Sequence, residues 1–182
     1  MNLIIGCDFR YSWLATILEG LAKGFGEIHR LSGEHDWFDG LHQLEYAEPI
    51  VGVAFVATQA YLIGVVADVG RGRGKSGKKL QQFVNEEKTR FYSDDPHPIN
   101  SDQSRVLIIN AAANYYKHHD EWGGWSTNKT ARQLQEAGIQ EDTEFPCLVA
   151  AEMLFGSTNF DRLSTLLVIA SEWRNYVVNK YV

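Results

Sequence analysis

The sequence predicts an all-α protein, a single-domain bundle of about six to seven helices spanning residues 1–182 and built around one long buried apolar helix. Three observations lead there. Apolar residues recur at three- and four-residue steps along most of the chain. No stretch alternates apolar and polar residues for long enough to build a sheet. The 182 residues include only four prolines and sixteen glycines, too few for a long linker, and there is no internal repeat.

The elements follow in order. After an apolar start, Leu3 to Ile5, a first helix is expected from about Tyr11, with Leu14, Ile17, Leu21 and Ile28 near helical spacing and Gly33 as its stop. Asp36 is read as the cap of a second stretch carrying Trp37, Phe38, Leu41 and Leu44. Pro49, suited to a first turn, then opens the long apolar helix, which runs to about Val69. Gly70 to Gly77 is a loop, and Ser76 caps a helix with Leu80, Phe83 and Val84 inward. The segment 94–103 carries two prolines and reads as a connector. Asn100 and Gln103 form a capping-box pattern for a helix from about Ser101 to Trp122, closed by Gly123 and Gly124. Three more helices are expected over about Thr127–Ala137, Phe145–Phe155 and Asn159–Tyr181.

Composition bounds the function. Hydrophobic residues at 45% and charged residues at 22% are those of a folded globular chain. A formal charge of -6 argues against a generally basic nucleic-acid coat, though not against a local basic patch. Cys7 and Cys147 are isolated in apolar surroundings, which suits a reducing, cytoplasmic setting. Ile4-Ile5-Gly6-Cys7 has the look of a lipidation box, but neither a basic start nor an apolar core precedes the cysteine. Ile50 to Ala67 is uncharged and at the short limit for a membrane span. Gly52, Thr58, Gln59 and Gly64 within it favour a core helix, so no membrane is expected. Gln59 there requires a hydrogen-bond partner and is expected to lock helix register.

Several motifs fail on inspection. Val69-Gly-Arg-Gly-Arg-Gly-Lys-Ser76 has Val where a phosphate loop needs its first glycine, and it follows a helix instead of a strand. Its milder reading is a basic patch: Arg71, Arg73, Lys75, Lys78 and Lys79 suit a nucleic-acid backbone or an acidic partner. His118-His119-Asp120-Glu121 is no metal motif, because successive helical residues diverge by about 100°. Only His118 and Glu121 can converge, and the remaining histidines lack ligand spacing, so no metal or cofactor is expected. Gly-x-Ser-x-Gly and Cys-x-x-Cys patterns are missing from the sequence.

The chemistry-bearing segment is Ala113-Asn-Tyr-Tyr-Lys-His-His-Asp-Glu-Trp-Gly-Gly-Trp125. On a helix, Leu107, Ala111, Asn114, His118 and Glu121 form one stripe that changes from apolar to polar and so emerges into a cleft or interface near Asn114. Tyr115, Tyr116, Trp122 and Trp125 surround that end with aromatic surface suited to base stacking or to a protein partner.

Asn114-Tyr-Tyr-Lys-His118 in an all-helical chain resembles the active-site motif of HEPN domains, where an arginine is followed by a polar residue, three variable residues and a histidine. Asn114 and His118 match; Ala113 stands at the arginine position. The resemblance implies a bacterial toxin or defence protein, a metal-independent endoribonuclease or its degenerate relative, acting on RNA and commonly as a homodimer. In that reading the 2′-hydroxyl attacks the adjacent phosphate, with His118 as general base or acid. Lys117 or Arg174 stabilises the phosphorane charge, Asn114 orients His118 or binds phosphate, and Glu121 fixes the imidazole tautomer. Arg174-Asn175 begins a second fragment of the motif that ends on Asn179 in place of histidine. The alternative class is a non-catalytic immunity protein or antitoxin, whose acidic charge and aromatic helix tip bind a partner protein. Trp173 and Tyr176 read as core or dimer surface.

Overall fold

Seven α-helices and no strands make up the computed structural model, which describes residues 8–35, 37–99 and 103–182. They are α1 (Phe9–Glu34), α2 (Gly40–Gly72), α3 (Gly77–Ser93), α4 (Arg105–His118), α5 (Lys129–Glu136), α6 (Pro146–Phe155) and α7 (Ser164–Tyr181). The architecture is the expected all-α bundle with one long apolar helix.

Local chemistry explains the boundaries. Asp8 caps α1 by accepting from the Arg10 amide at 3.1 Å, so the helix begins before Tyr11 and runs past Gly33. Asp39 caps α2 by accepting from the Leu41 and His42 amides at 3.0 and 3.2 Å. The expected cap Asp36 lies outside the described residues. The stretch carrying Leu41 and Leu44 is not a separate helix but the first turns of α2, with Pro49 inside. Pro49 and Glu45 are both exposed, so the carbonyl that lacks its proline partner faces water, and the helix continues. Ser76 takes the cap position of α3 without a side-chain capping bond. Ser104, not Asn100, caps α4 through the Val106 and Leu107 amides. Asn100 and Ser101 lie outside the described residues. Helix α4 ends at His118, with a single 3-10 turn from His119 to Glu121 where the longer helix was expected. The last helix begins at Ser164 and not at Asn159.

Helix α2 is the axis of the bundle, packed by α1, α3, α4, α6 and α7. Among the described residues it is the one helix long and apolar enough to cross a membrane, and 56% of its most apolar window is buried inside the bundle. Around it Phe55, Leu62, Ile109, Leu166 and Trp173 are fully or almost fully buried, and the Trp173 indole donates to the Phe91 carbonyl at 3.1 Å. Two polar devices fix the helices that border the site. Glu48 of α2 accepts from the Cys147 and Leu148 amides, both at 2.9 Å, and so caps α6 from outside. The fully buried Asp95 carboxylate holds Arg105 at 2.9 Å and accepts from the Arg105 amide at 2.8 Å, pinning the start of α4. Burial alone would raise that carboxyl; the Arg105 guanidinium and the His97 amide outweigh it and hold it below the usual carboxylate range.

Candidate functional site

Gln59 is only 4% exposed in the middle of α2. A primary amide in that position must find partners, and α4 supplies three, at 110, 114 and 117, spaced to lie on one face of that helix. The Gln59 Nε2 donates to Asn110 Oδ1 at 2.8 Å and to Asn114 Oδ1 at 2.9 Å, with a longer contact to the Asn110 carbonyl at 3.3 Å. Its Oε1 accepts from the Lys117 ammonium at 2.7 Å. The close approach of the two helices depends on Gly52: a Cβ there would run into the Tyr116 ring. Ala111, Ala112 and Ala113 keep the rest of the contact thin.

This pattern fixes the polarity of the cluster. Both asparagine oxygens point inward to Gln59, so the two amide nitrogens face away, and among the described residues they meet no acceptor. Among the described residues Lys117 has no carboxylate partner either. Burial, with Lys88 of α3 next, lowers the pKa of its ammonium below the ordinary value. Two lysines therefore adjoin two outward amides, and among the described residues no anion neutralises them.

His118 ends α4 with its side chain half exposed. Its Nδ1 lies 3.3 Å from Glu121 Oε2; an ionised carboxylate only accepts, so this contact favours the proton on Nδ1 and leaves Nε2 free. The expected Asn114, Lys117 and His118 thus occupy one end of α4 and Glu121 the 3-10 turn that follows, the first two joined through Gln59 and the last two to each other. The aromatic tip binds itself. His119 stacks on Tyr115 at 4.6 Å, and Trp122 and Trp125 meet edge to face at 5.8 Å while touching Tyr115. Both tryptophans are half-buried. Beneath them, burial raises the Glu48 carboxyl, and burial with Glu48 pushes the Cys147 thiol far up, so that sulfur is no nucleophile.

Arg174 lies elsewhere. Its Nε is 3.0 Å from Asp8 Oδ2, and Asp8 also accepts from the Tyr61 hydroxyl at 2.9 Å. Arg10 bridges Asp8 and Asp68. Gln59 and Tyr61 are two positions apart on α2 and point about 200° apart, so the Arg174 cluster and the Asn114 cluster sit on nearly opposite sides of that helix. Glu172, just before Arg174, pairs with Arg105 at 3.0 Å at the start of α4, and His118 is roughly 20 Å further along. Ala113, at the motif's arginine position, is fully buried and faces the core.

Asn110 and Lys88 were not among the sequence candidates. Asn110 was legible as the polar residue one turn before Asn114; Lys88 was not, because no spacing rule links α3 to α4. Among the described residues no group of three or more His, Cys, Asp or Glu is placed to hold a metal ion. The chain matches no family model, no curated protein and no solved structure.

Proposed function

We propose that the chain is a HEPN-like helical protein of the bacterial toxin and defence kind that binds RNA in the cytoplasm through Asn114 and Lys117, with His118 as the group for any residual cleavage, and that has lost most or all endoribonuclease activity. One observation carries the binding: among the described residues, the donor set of Asn110, Asn114 and Lys117, with Lys88 beside it, has no carboxylate partner. A phosphodiester oxygen is the acceptor such a set suits. The loss of activity rests on the guanidinium. With Ala113 facing the core and Arg174 held by Asp8, Lys117 and the neighbouring Lys88 are left to meet charge developing on phosphorus.

Single-stranded RNA incubated with the protein in EDTA tests this. The expected result is binding that weakens with salt, with slow cleavage at most. His118→Ala abolishes any such cleavage and changes affinity less than about twofold, since it removes no lysine contact. No binding by the wild type at low salt overturns the reading.

A second reading is favoured by a different observation. Asp120 and Glu121 are both exposed at the tip beyond α4, as an immunity protein or antitoxin facing a basic partner requires. Inhibition of a basic nuclease by a chain that ignores RNA would select it.

A further inference from the structure

Among the described residues, the outer face of the α1–α2 pair is apolar and uncovered. On α2, Pro49, Val53, Val56, Ala60, Ile63 and Ala67 recur at steps of four, three, four, three and four, the spacing of a helix–helix seam. This stripe is separate from the buried one. Val53 and Ile63 are 40% and 37% exposed, and Pro49 and Ala60 are exposed as well. Helix α1 runs antiparallel beside it, because Gly24 lies against Ile50 and Arg10 crosses Gly64 to reach Asp68. On the same outer side α1 presents Phe9, Trp13 and Ile17, which are 69%, 65% and 45% exposed, followed by the bare backbone of Gly20. None of these ten positions is charged.

The geometry points to a second copy of this chain as the occupant. The spacing of the α2 stripe is the same from either end, and each pair that an antiparallel copy forms is apolar: Pro49 over Ala67, Val53 over Ile63 and Val56 over Ala60. A two-fold axis through that midpoint passes near Ile17 on α1 and brings Trp13 over the Gly20 region of the other copy, a large ring onto a glycine. The area also fits. Phe9 and Trp13 leave on the order of 300 Å² of aromatic surface exposed, and the aliphatic positions bring the face to roughly 600 Å² per copy. Two such faces total about 1,200 Å², the lower bound of stable specific interfaces. This surface lies on α1 and α2 and is independent of the RNA reading.

The test measures mass in solution by light scattering and sedimentation at about 1 to 100 µM, a range that spans micromolar affinity. The expected species is twice the 20.6 kDa chain. Trp13→Glu and Ala60→Lys, both at exposed positions, shift it to monomer, weakening association at least a hundredfold with an unchanged helical circular dichroism spectrum. In a Cys7→Ser background, where the remaining Cys147 is buried, Ile17→Cys forms a disulfide-linked dimer on oxidation. A monomer at 100 µM, including one that binds neutral lipid vesicles instead, overturns the inference. So does a dimer indifferent to both charge substitutions, or one that Ile17→Cys fails to cross-link.

Discussion

Helix α2 carries two polar clusters on nearly opposite faces, and they are built by opposite rules. On the Tyr61 side every charge is paired within the chain: Asp8 with Arg10 and Arg174, and Asp68 with Arg10 and Arg71. On the Gln59 side, an uncharged amide organises two asparagines and a lysine, and no acid takes part. The first cluster has its charges satisfied within the chain, and it ties the start of α1 to α2 and α7. The second is left with spare donors and net positive charge. A protein holds such an arrangement at a cost in stability, and the proposed RNA site is the use that accounts for it.

That contrast breaks most severely at Gly52. Gly52→Val forces the Tyr116 ring away and separates α4 from α2, which is expected to cost about 3 kcal/mol in chemical denaturation. Removing the self-neutralised cluster comes next. Asp8→Asn strips a partner from Arg10, Arg174 and Tyr61 together and is expected to cost about 2 kcal/mol at pH 7, between the values for surface and buried pairs. Burial by itself would raise the Asp8 carboxyl, but the Tyr61 hydroxyl and the two guanidiniums outweigh it and hold it low. A depressed carboxylate stabilises the fold above its unfolded pKa and loses that contribution as pH falls toward its folded pKa. Thermal melts should therefore show the wild type losing its advantage over Asp8→Asn below about pH 4. The smallest effect is on binding alone. Lys117→Ala should weaken RNA about tenfold and reduce the salt slope by about one, with the melting temperature little changed.

Much of the bundle was legible in the sequence because helical periodicity and caps are local. The periodicity placed the helices, while the caps were read a few residues off: Asp39 heads α2 where Asp36 was expected to cap, and Ser104 heads α4 in place of Asn100. Gln59 announced itself as a polar residue in an apolar helix, and its need for partners pointed to a contact between helices. Two things were not local and were misjudged or left open. The stretch before Pro49 joins α2, because a proline on an exposed face does not end a helix whose core face continues. Whether Arg174 stood near His118 depended on which face of α2 each helix packs against, and Asp8, far away in the chain, settles where that guanidinium goes.

The most direct measurement is RNA affinity, in EDTA and at low salt, for the wild type against Gln59→Glu. The substitution keeps the size of the hub and gives Lys117 a carboxylate; having no N–H to offer the Asn110 and Asn114 oxygens, it also turns both asparagine amides over, so that their nitrogens donate inward and the spare donors are used up within the chain. With the melting temperature held or raised, affinity should fall roughly thirtyfold, about 2 kcal/mol. Equal affinity in the two proteins would contradict the claim that the uncompensated donors beside Gln59 are what bind phosphate.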